Sequence, residues 1–327
     1  MLALLSPAWA APTLERVLPV GLVEAPPSLD PLDAAWSGAP VASVSLYPQA
    51  TAPGGPGGAT RTLEARVLRG GGKLALRLAW PDATADLADA KATDRFADAA
   101  AVQFAPAAGT LPYVGMGEPG HPVRVWFWRA GQPAQGLTAQ GFGSLSRQPG
   151  EAVEAQSRRT ATGWAVVLRG AESADRPAAV AFAAWDGAED GRAGRKRLSA
   201  WRALAKPDAR LLEEMRTTGD PARGARLYAE HGCAACHRGD SPHARNSGSL
   251  PPEGAQSPAW GGPAPGMGAG LGPDLTHAGG IHWPGYLRRA IREPAAFLVP
   301  GYAAIMPVLP LRPEETEALV AYLMTLN

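Results

Sequence analysis

The chain has two cysteines, and both fall in one pentapeptide, Cys233-Ala234-Ala235-Cys236-His237. Two thiols at this spacing lie about one helical turn apart, and a histidine follows at once. The pattern fits covalent attachment of one haem, with a thioether to each vinyl group and His237 directed at the iron as proximal ligand. A redox dithiol would need a thioredoxin-like βαβ setting, which the surrounding sequence lacks. A zinc site would need a second ligand pair of similar spacing, and there is no third cysteine. The motif predicts a c-type haem and a small helical domain built around it.

The sequence on either side has helical character. Asp220-Pro221 pairs an N-cap with a proline at the first helical position, and opens a helix carrying Leu227 and Tyr228 into the haem motif. A second helix is expected from about Pro284 to Arg292, stopped by Pro294. A last one opens at Pro313, with Glu314 and Glu315 at its positive end and Leu319, Tyr322, Leu323 and Leu326 as its buried stripe. The sixth iron ligand is expected from Met306, followed by Pro307 in the loop before this last helix. Met267, in a glycine-rich loop, and Met324, on a helix, are weaker candidates. His231, His243, His277 and His282 read as solvated or loop residues. Met/His ligation fills both axial positions and raises the potential, which suits electron transfer rather than chemistry at the iron.

In order of features, residues 218–327 resemble class I cytochrome c: helix with an aromatic, haem motif, Leu271-Gly272-Pro273-Asp274-Leu275 turn, Met306-Pro307 loop, and terminal helix with an aromatic. The resemblance implies that Pro273 lines the proximal side of the haem and that Leu227 and Tyr228 pack near Tyr322. The departure is a long Gly/Pro/Ser-rich insertion over 238–272.

Residues 12–205 read as mostly β. Leu63, Ala65 and Val67 alternate with polar neighbours, Gly70-Gly71-Gly72 follows, and Leu74, Leu76, Leu78 and Trp80 alternate again, which predicts a hairpin. Residues 123–128, 163–169 and 178–185 are further short strands. The pattern points to an antiparallel β-sandwich of immunoglobulin-like or jelly-roll type, joined by a linker at 206–217 to the all-α domain. By its residues alone this half offers no catalytic constellation. Met116 is a loop methionine, and Lys196 is a lysine in the basic run Arg195-Lys196-Arg197.

Three stretches change that reading: Asp94 to Phe104, Tyr113 to Trp128, and Trp185-Asp186-Gly187 through Lys196 to Trp201. Together they resemble the haem b-binding gamma subunit of ethylbenzene dehydrogenase and its relatives in dimethylsulfide dehydrogenase, selenate reductase and chlorate reductase, over about residues 30–205. The resemblance implies a non-covalent haem b whose iron is held by one Met and one Lys, which fall on Met116 and Lys196. It implies molybdenum catalytic and iron–sulfur subunits of the dimethyl sulfoxide reductase family as partners, and the fused cytochrome c supplies the next electron carrier. Arg192, Arg195 and Arg197 are candidates to pair with haem propionates, and a solvated basic loop accounts for them equally.

Residues 2–11 are apolar and end on Ala8-Trp9-Ala10, a small-x-small pattern expected of a signal-peptide remnant, which predicts a periplasmic or otherwise exported protein. No other segment approaches the ~18 apolar residues of a membrane span. A formal net charge of +1 gives no basic surplus for nucleic acid. The reading is a di-haem electron-transfer subunit relaying electrons between the molybdenum enzyme and a soluble or membrane-bound redox partner of the respiratory chain. The alternatives are a cytochrome c fused to a haem-free binding or docking sandwich, and an enzyme with an open iron position.

Overall fold

The computed structural model describes residues 16–49, 59–89, 93–173, 177–204, 207–239 and 271–327. The apolar segment 1–11, most of the 238–272 insertion, Met267 and His243 lie outside the described residues.

The N-terminal part of the described residues is a large β-domain, followed by a helical region. Its strands in chain order are β1 Val17–Leu18, β2 Val20–Leu22, β3 Val41–Pro48, β4 Arg61–Gly70, β5 Lys73–Pro81, β6 Ala99–Phe104 and β7 Val123–Arg129. They continue as β8 Gln135–Ala139, β9 Ser146–Arg147, β10 Val153–Arg159, β11 Gly163–Ala171, β12 Ala179–Trp185, β13 Arg197–Leu198 and β14 Arg202–Leu204. One layer runs β10-β11-β5-β4-β3 and the other β13-β12-β6-β7-β8-β9, joined where β3 pairs with β13. The predicted hairpin is β4–β5, and Gly71 and Gly72 take positive φ at its turn, where a side chain would be strained. Most pairings are antiparallel as expected. The exceptions are the first two strands, for β1 runs parallel to β14 and β2 parallel to β4.

The period-two pattern sorts side chains to two faces of the second layer. Leu74, Leu76, Leu78 and Trp80 of β5 meet Trp126 and Trp128 of β7 inside the sandwich, in one core with Val166 and Leu168 of β11. Trp128 packs edge-on against both Trp80 and Trp164. Each such side chain, fully buried, contributes on the order of 2 kcal/mol. Two indole N–H groups are satisfied as well, Trp126 donating to Glu151 and Trp164 to Asp98. Val125 and Phe127 of β7 take the opposite, outer face.

The helices are α1 Ala34–Gly38, α2 Ala209–Met215, α3 Pro221–Glu230, α4 Ala278–Ile281, α5 Pro284–Arg292 and α6 Pro313–Leu323. The Asp220 carboxylate caps α3 by accepting the Ala222 N–H at 2.9 Å. Glu315 does more than complement the positive end of α6, for it accepts the Arg312 N–H and closes a capping box there. Helices α3 and α6 cross with almost no room: a Cβ built on Gly224 would lie 1.9 Å from the Ala318 carbonyl oxygen. The rings of Tyr228 and Tyr322 meet at the same crossing, 5.2 Å between centroids.

Of the stretch expected to be a linker, 206–217, the described residues 207–217 include a helix. It is α2, whose Leu211 and Met215 are buried against the outer face of the second layer. Trp283, just before α5, is fully buried in the same cluster and donates its indole N–H to the Trp201 carbonyl. Arg289 of α5 reaches Glu118 at 3.3 Å, and Glu118 is only 5% exposed. The helical region is therefore docked on the sheet through apolar and ionic contacts.

Candidate haem sites

The cysteine motif lies at the end of α3. Gly232 supplies a left-handed turn, and Cys233–Ala235 form a single 3-10 turn that brings both thiols to one cavity. The imidazole Nδ1 of His237 sits 2.9 Å from the Pro273 carbonyl oxygen. A carbonyl only accepts, so Nδ1 carries the proton and Nε2 keeps the free lone pair for a metal. Pro273 thus lies beside His237, the residue that the cytochrome c resemblance makes the proximal ligand. Gly272 is the close neighbour that permits this: a Cβ there would fall 2.5 Å from the His237 ring.

The cavity has a volume of about 340 Å³, and Cys233, Cys236, His237 and Met306 all line it. Met306 is 37% exposed, and the apolar side chains of Leu271, Leu298 and Ile305 stand exposed on the same wall. Exposed apolar groups gathered around a cavity fit a large apolar ligand that would cover them. Burial pushes the Cys233 thiol above its ordinary value, opposite to the shift of a reactive redox dithiol. Among the described residues Cys233, Cys236 and His237 do not bring three ligand atoms within 4.8 Å of one another, as a zinc centre would.

Met324, the other described alternative to Met306, packs on the helical core and accepts a contact from Arg16. His282 departs from the expectation of a solvated residue. Its ring is stacked on Tyr286 with 4.3 Å between centroids, and burial lowers its pKa to about 3, so it is neutral. Tyr286 is close in sequence, but the Tyr113 ring that completes the cover, 5.7 Å away, comes from the β-domain and leaves no local trace. His277, half-buried, packs its ring against Tyr47 of β3.

A second cavity, of about 1180 Å³, opens on the outer face of the second sheet layer and is lined by both Met116 and Lys196. Its floor is made by small residues on adjacent strands. Ala101 of β6 and Ala183 of β12 are register partners, and Ala99 and Ala181 line the cavity on the same two strands, while Trp185, opposite Ala99, stands as a bulky wall. Met116 sits in a turn with φ of 79°, a backbone region that side-chain-bearing residues rarely occupy. The Gly117 N–H to the Tyr113 carbonyl and the Gly141 N–H to the Met116 carbonyl hold that turn. A packed segment holds this conformation at a cost in strain, and no sequence signal announces it.

Lys196 enters the same cavity from the loop between β12 and β13. It is 6% exposed, and burial alone lowers its pKa to about 8, with no acidic neighbour contributing. The Trp185 ring lies 5.4 Å from its Nζ. Gln49, whose N–H donates to the Lys196 carbonyl, is 1% exposed, and both ends of its side-chain amide lack a partner. A buried lysine without a counter-charge and an orphaned amide on one cavity wall fit a bound polar-edged cofactor. Of the three arginines near Lys196, Arg192 lines the cavity and lies over the Phe96 ring. Arg197 is turned away onto Glu189 at 2.8 Å, and Arg195 faces Asp190.

Comparison with known proteins bears on both cavities. Residues 33–164 match the Ethylbenzene dehydrogenase family and residues 221–327 the Cytochrome c family. The chlorate reductase gamma subunit of Ideonella dechloratans is 38% identical over 203 residues, which is 57% of this chain and 83% of that protein. The chain belongs to the family of the chlorate reductase gamma subunit. It is an electron-transfer haem subunit of the gamma type, with a cytochrome c domain joined to it. Within this gamma-subunit family, the dimethylsulfide dehydrogenase gamma subunit of Rhodovulum sulfidophilum is 31% identical over 153 residues, 42% of this chain and 57% of that protein. Among solved structures, a family 9 carbohydrate-binding module from Caldicellulosiruptor kristjanssonii aligns with 58% of this chain and 95% of its own. Its identity of 9% and TM-score of 0.34 are too low to establish a common fold.

Proposed function

We propose that the chain is a periplasmic di-haem relay. It would take up one haem b between Met116 and Lys196 and one covalent haem c on Cys233 and Cys236, with His237 and Met306 as the axial ligands of the latter. The observation that carries the reading is Lys196: buried, without an acidic partner among the described residues, and lining one cavity with the strained Met116. The groups held there supply reversible one-electron redox chemistry. The relatives named above are gamma subunits of chlorate reductase and dimethylsulfide dehydrogenase, which supports molybdenum catalytic and iron–sulfur subunits as partners on one side. The respiratory chain lies on the other. Export is supported by the small-x-small pattern at Ala8-Trp9-Ala10.

The chain's own residues set the conditions for this. Lys196 binds iron only as the neutral amine, and burial favours that form. Met116 supplies a neutral thioether, and Gln49 a hydrogen-bonding amide. Arg95, Arg129, Arg147 and Arg192 line the same cavity, which places positive charge where carboxylate edges and an added electron are stabilised. Neutral ligands and a positive rim both favour the reduced state.

The test is a pyridine haemochrome spectrum of the full chain, matured with its covalent haem, before and after acid–acetone extraction. Two haems are expected, one of them extractable, and Met116→Ala or Lys196→Ala should abolish the extractable one alone. Finding only covalent haem in the matured wild type would sink the relay and leave the sandwich as a docking module.

A further inference from the structure

One short stretch of chain separates the two cavities. Phe297, Leu298, Val299 and Tyr302 line the cavity of the cysteine motif, while Pro300 and Gly301, between them, line the cavity of Met116 and Lys196. Beside this shared wall stands Tyr113, 2% exposed, at the base of the turn that carries Met116. Its ring is 6.2 Å between centroids from Phe142, which lines the β-domain cavity. On its other side it lies 5.0 Å from Phe297, 5.5 Å from Tyr286 and 5.7 Å from His282, all of which line the cytochrome cavity. Rings from both domains thus form one packed chain from cavity to cavity.

We infer that Tyr113, in ring contact with Phe142, Phe297 and Tyr286, is the electronic junction between the two haem sites of this chain. The inference rests on the two-haem reading above. Tunnelling weakens exponentially with the gap it must cross and is helped by dense, polarisable packing, and aromatic rings in contact supply both. The transfer is one electron: one iron is oxidised from ferrous to ferric and the other reduced from ferric to ferrous. The rings change neither oxidation nor protonation state. Burial pushes the Tyr286 phenol well above its ordinary pKa, so that ring stays protonated. The Glu118–Arg289 pair and the buried Trp283 hold the domains so that this contact is fixed rather than reached by collision.

The experiment uses the full chain carrying both haems. Electron redistribution between them is followed after photolysis of carbon monoxide from a mixed-valence sample of a Met306→Gly variant, whose opened iron gives the trigger, in the presence of Tyr113→Phe or Tyr113→Leu. Haem content, both midpoint potentials and the radius of gyration in solution are measured alongside. The phenylalanine variant should keep the rate, and the leucine variant should lower it on the order of tenfold, equivalent to about 1.4 kcal/mol, with potentials and radius unchanged. An unchanged rate in the leucine variant would overturn the junction, as would a lowered rate accompanied by a larger radius, which would assign the effect to docking. If Tyr113→Leu does not fold, Phe297→Leu carries the same expectation. A wild type with only the covalent haem would instead refute the two-haem reading itself, and that outcome is told apart by haem content alone.

Discussion

The His237 Nδ1 atom lies 2.9 Å from the Pro273 carbonyl oxygen, and Gly272 packs against the same ring with no space for a Cβ. Tautomer and ring position are both fixed from outside the cysteine motif. Gly272→Ala should keep the covalent attachment, because neither cysteine is touched, but push the imidazole off its axis. A ferric absorption spectrum is expected to shift from low spin toward high spin, and an unchanged spectrum would contradict the packing described.

Lys196→Leu should act with opposite sign on two forms of the protein. With haem b it removes a ligand, and the extractable haem is lost. In protein from which haem b has been extracted it removes a buried ammonium. The folded-state pKa is lowered from 10.5 to about 8, so the fold binds fewer protons than the unfolded chain. The penalty is therefore full below pH 8, shrinks between 8 and 10.5, and vanishes above. From the linkage relation, the leucine variant should be more stable than the parent at pH 7 by about 3 kcal/mol. Urea denaturation at pH 7 and at pH 11 tests both the sign and the window.

Asp82, Asp98 and Asp186 bring carboxylate oxygens within 4.8 Å of one another, all three buried. Asp98 is satisfied by the indole N–H of Trp164 and the backbone N–H groups of Asp86 and Gly187, and Asp186 by Arg61. One oxygen of Asp82 has no partner. Burial, with added repulsion from Asp98 and Asp186, raises its pKa above 3.8 despite the Thr84 N–H. A raised folded pKa means stability that is present below 3.8 and lost as pH climbs through the raised value. Asp82→Asn should then melt a few degrees higher than wild type at pH 7 and show no advantage below pH 3.8, as read by thermal unfolding.

Gly224→Ala inserts a methyl where α3 meets the Ala318 carbonyl. Overpacking of this kind costs about 1–3 kcal/mol. Since the crossing lies in the helical region, that region should melt earlier while the sandwich transition stays in place, and differential scanning calorimetry resolves the two.

What the sequence made legible was local. The cap at Asp220 and the helix start at Pro313, the alternation in β4, β5 and β7, and the cysteine motif are written in consecutive residues, and the fold follows them. What it hid was brought together from afar. The parallel partners of β1 and β2 are remote in the chain. Helix α2 sits in a stretch with the look of a linker, and only the sheet beneath it explains its buried leucine. His282 reads as a polar loop residue until Tyr113 covers it. The Met116 site was reached through resemblance, because left-handed backbone at a methionine and an alanine floor across β6 and β12 leave no periodic trace.

The stretch from Phe297 to Tyr302 has one further consequence. In two separately encoded carriers, the wall of each cofactor site drifts under its own selection. Here a substitution at Pro300 or Gly301 alters one cavity directly and the other through its immediate neighbours, so every change is screened twice. Six consecutive residues thus couple the shapes of the two cavities.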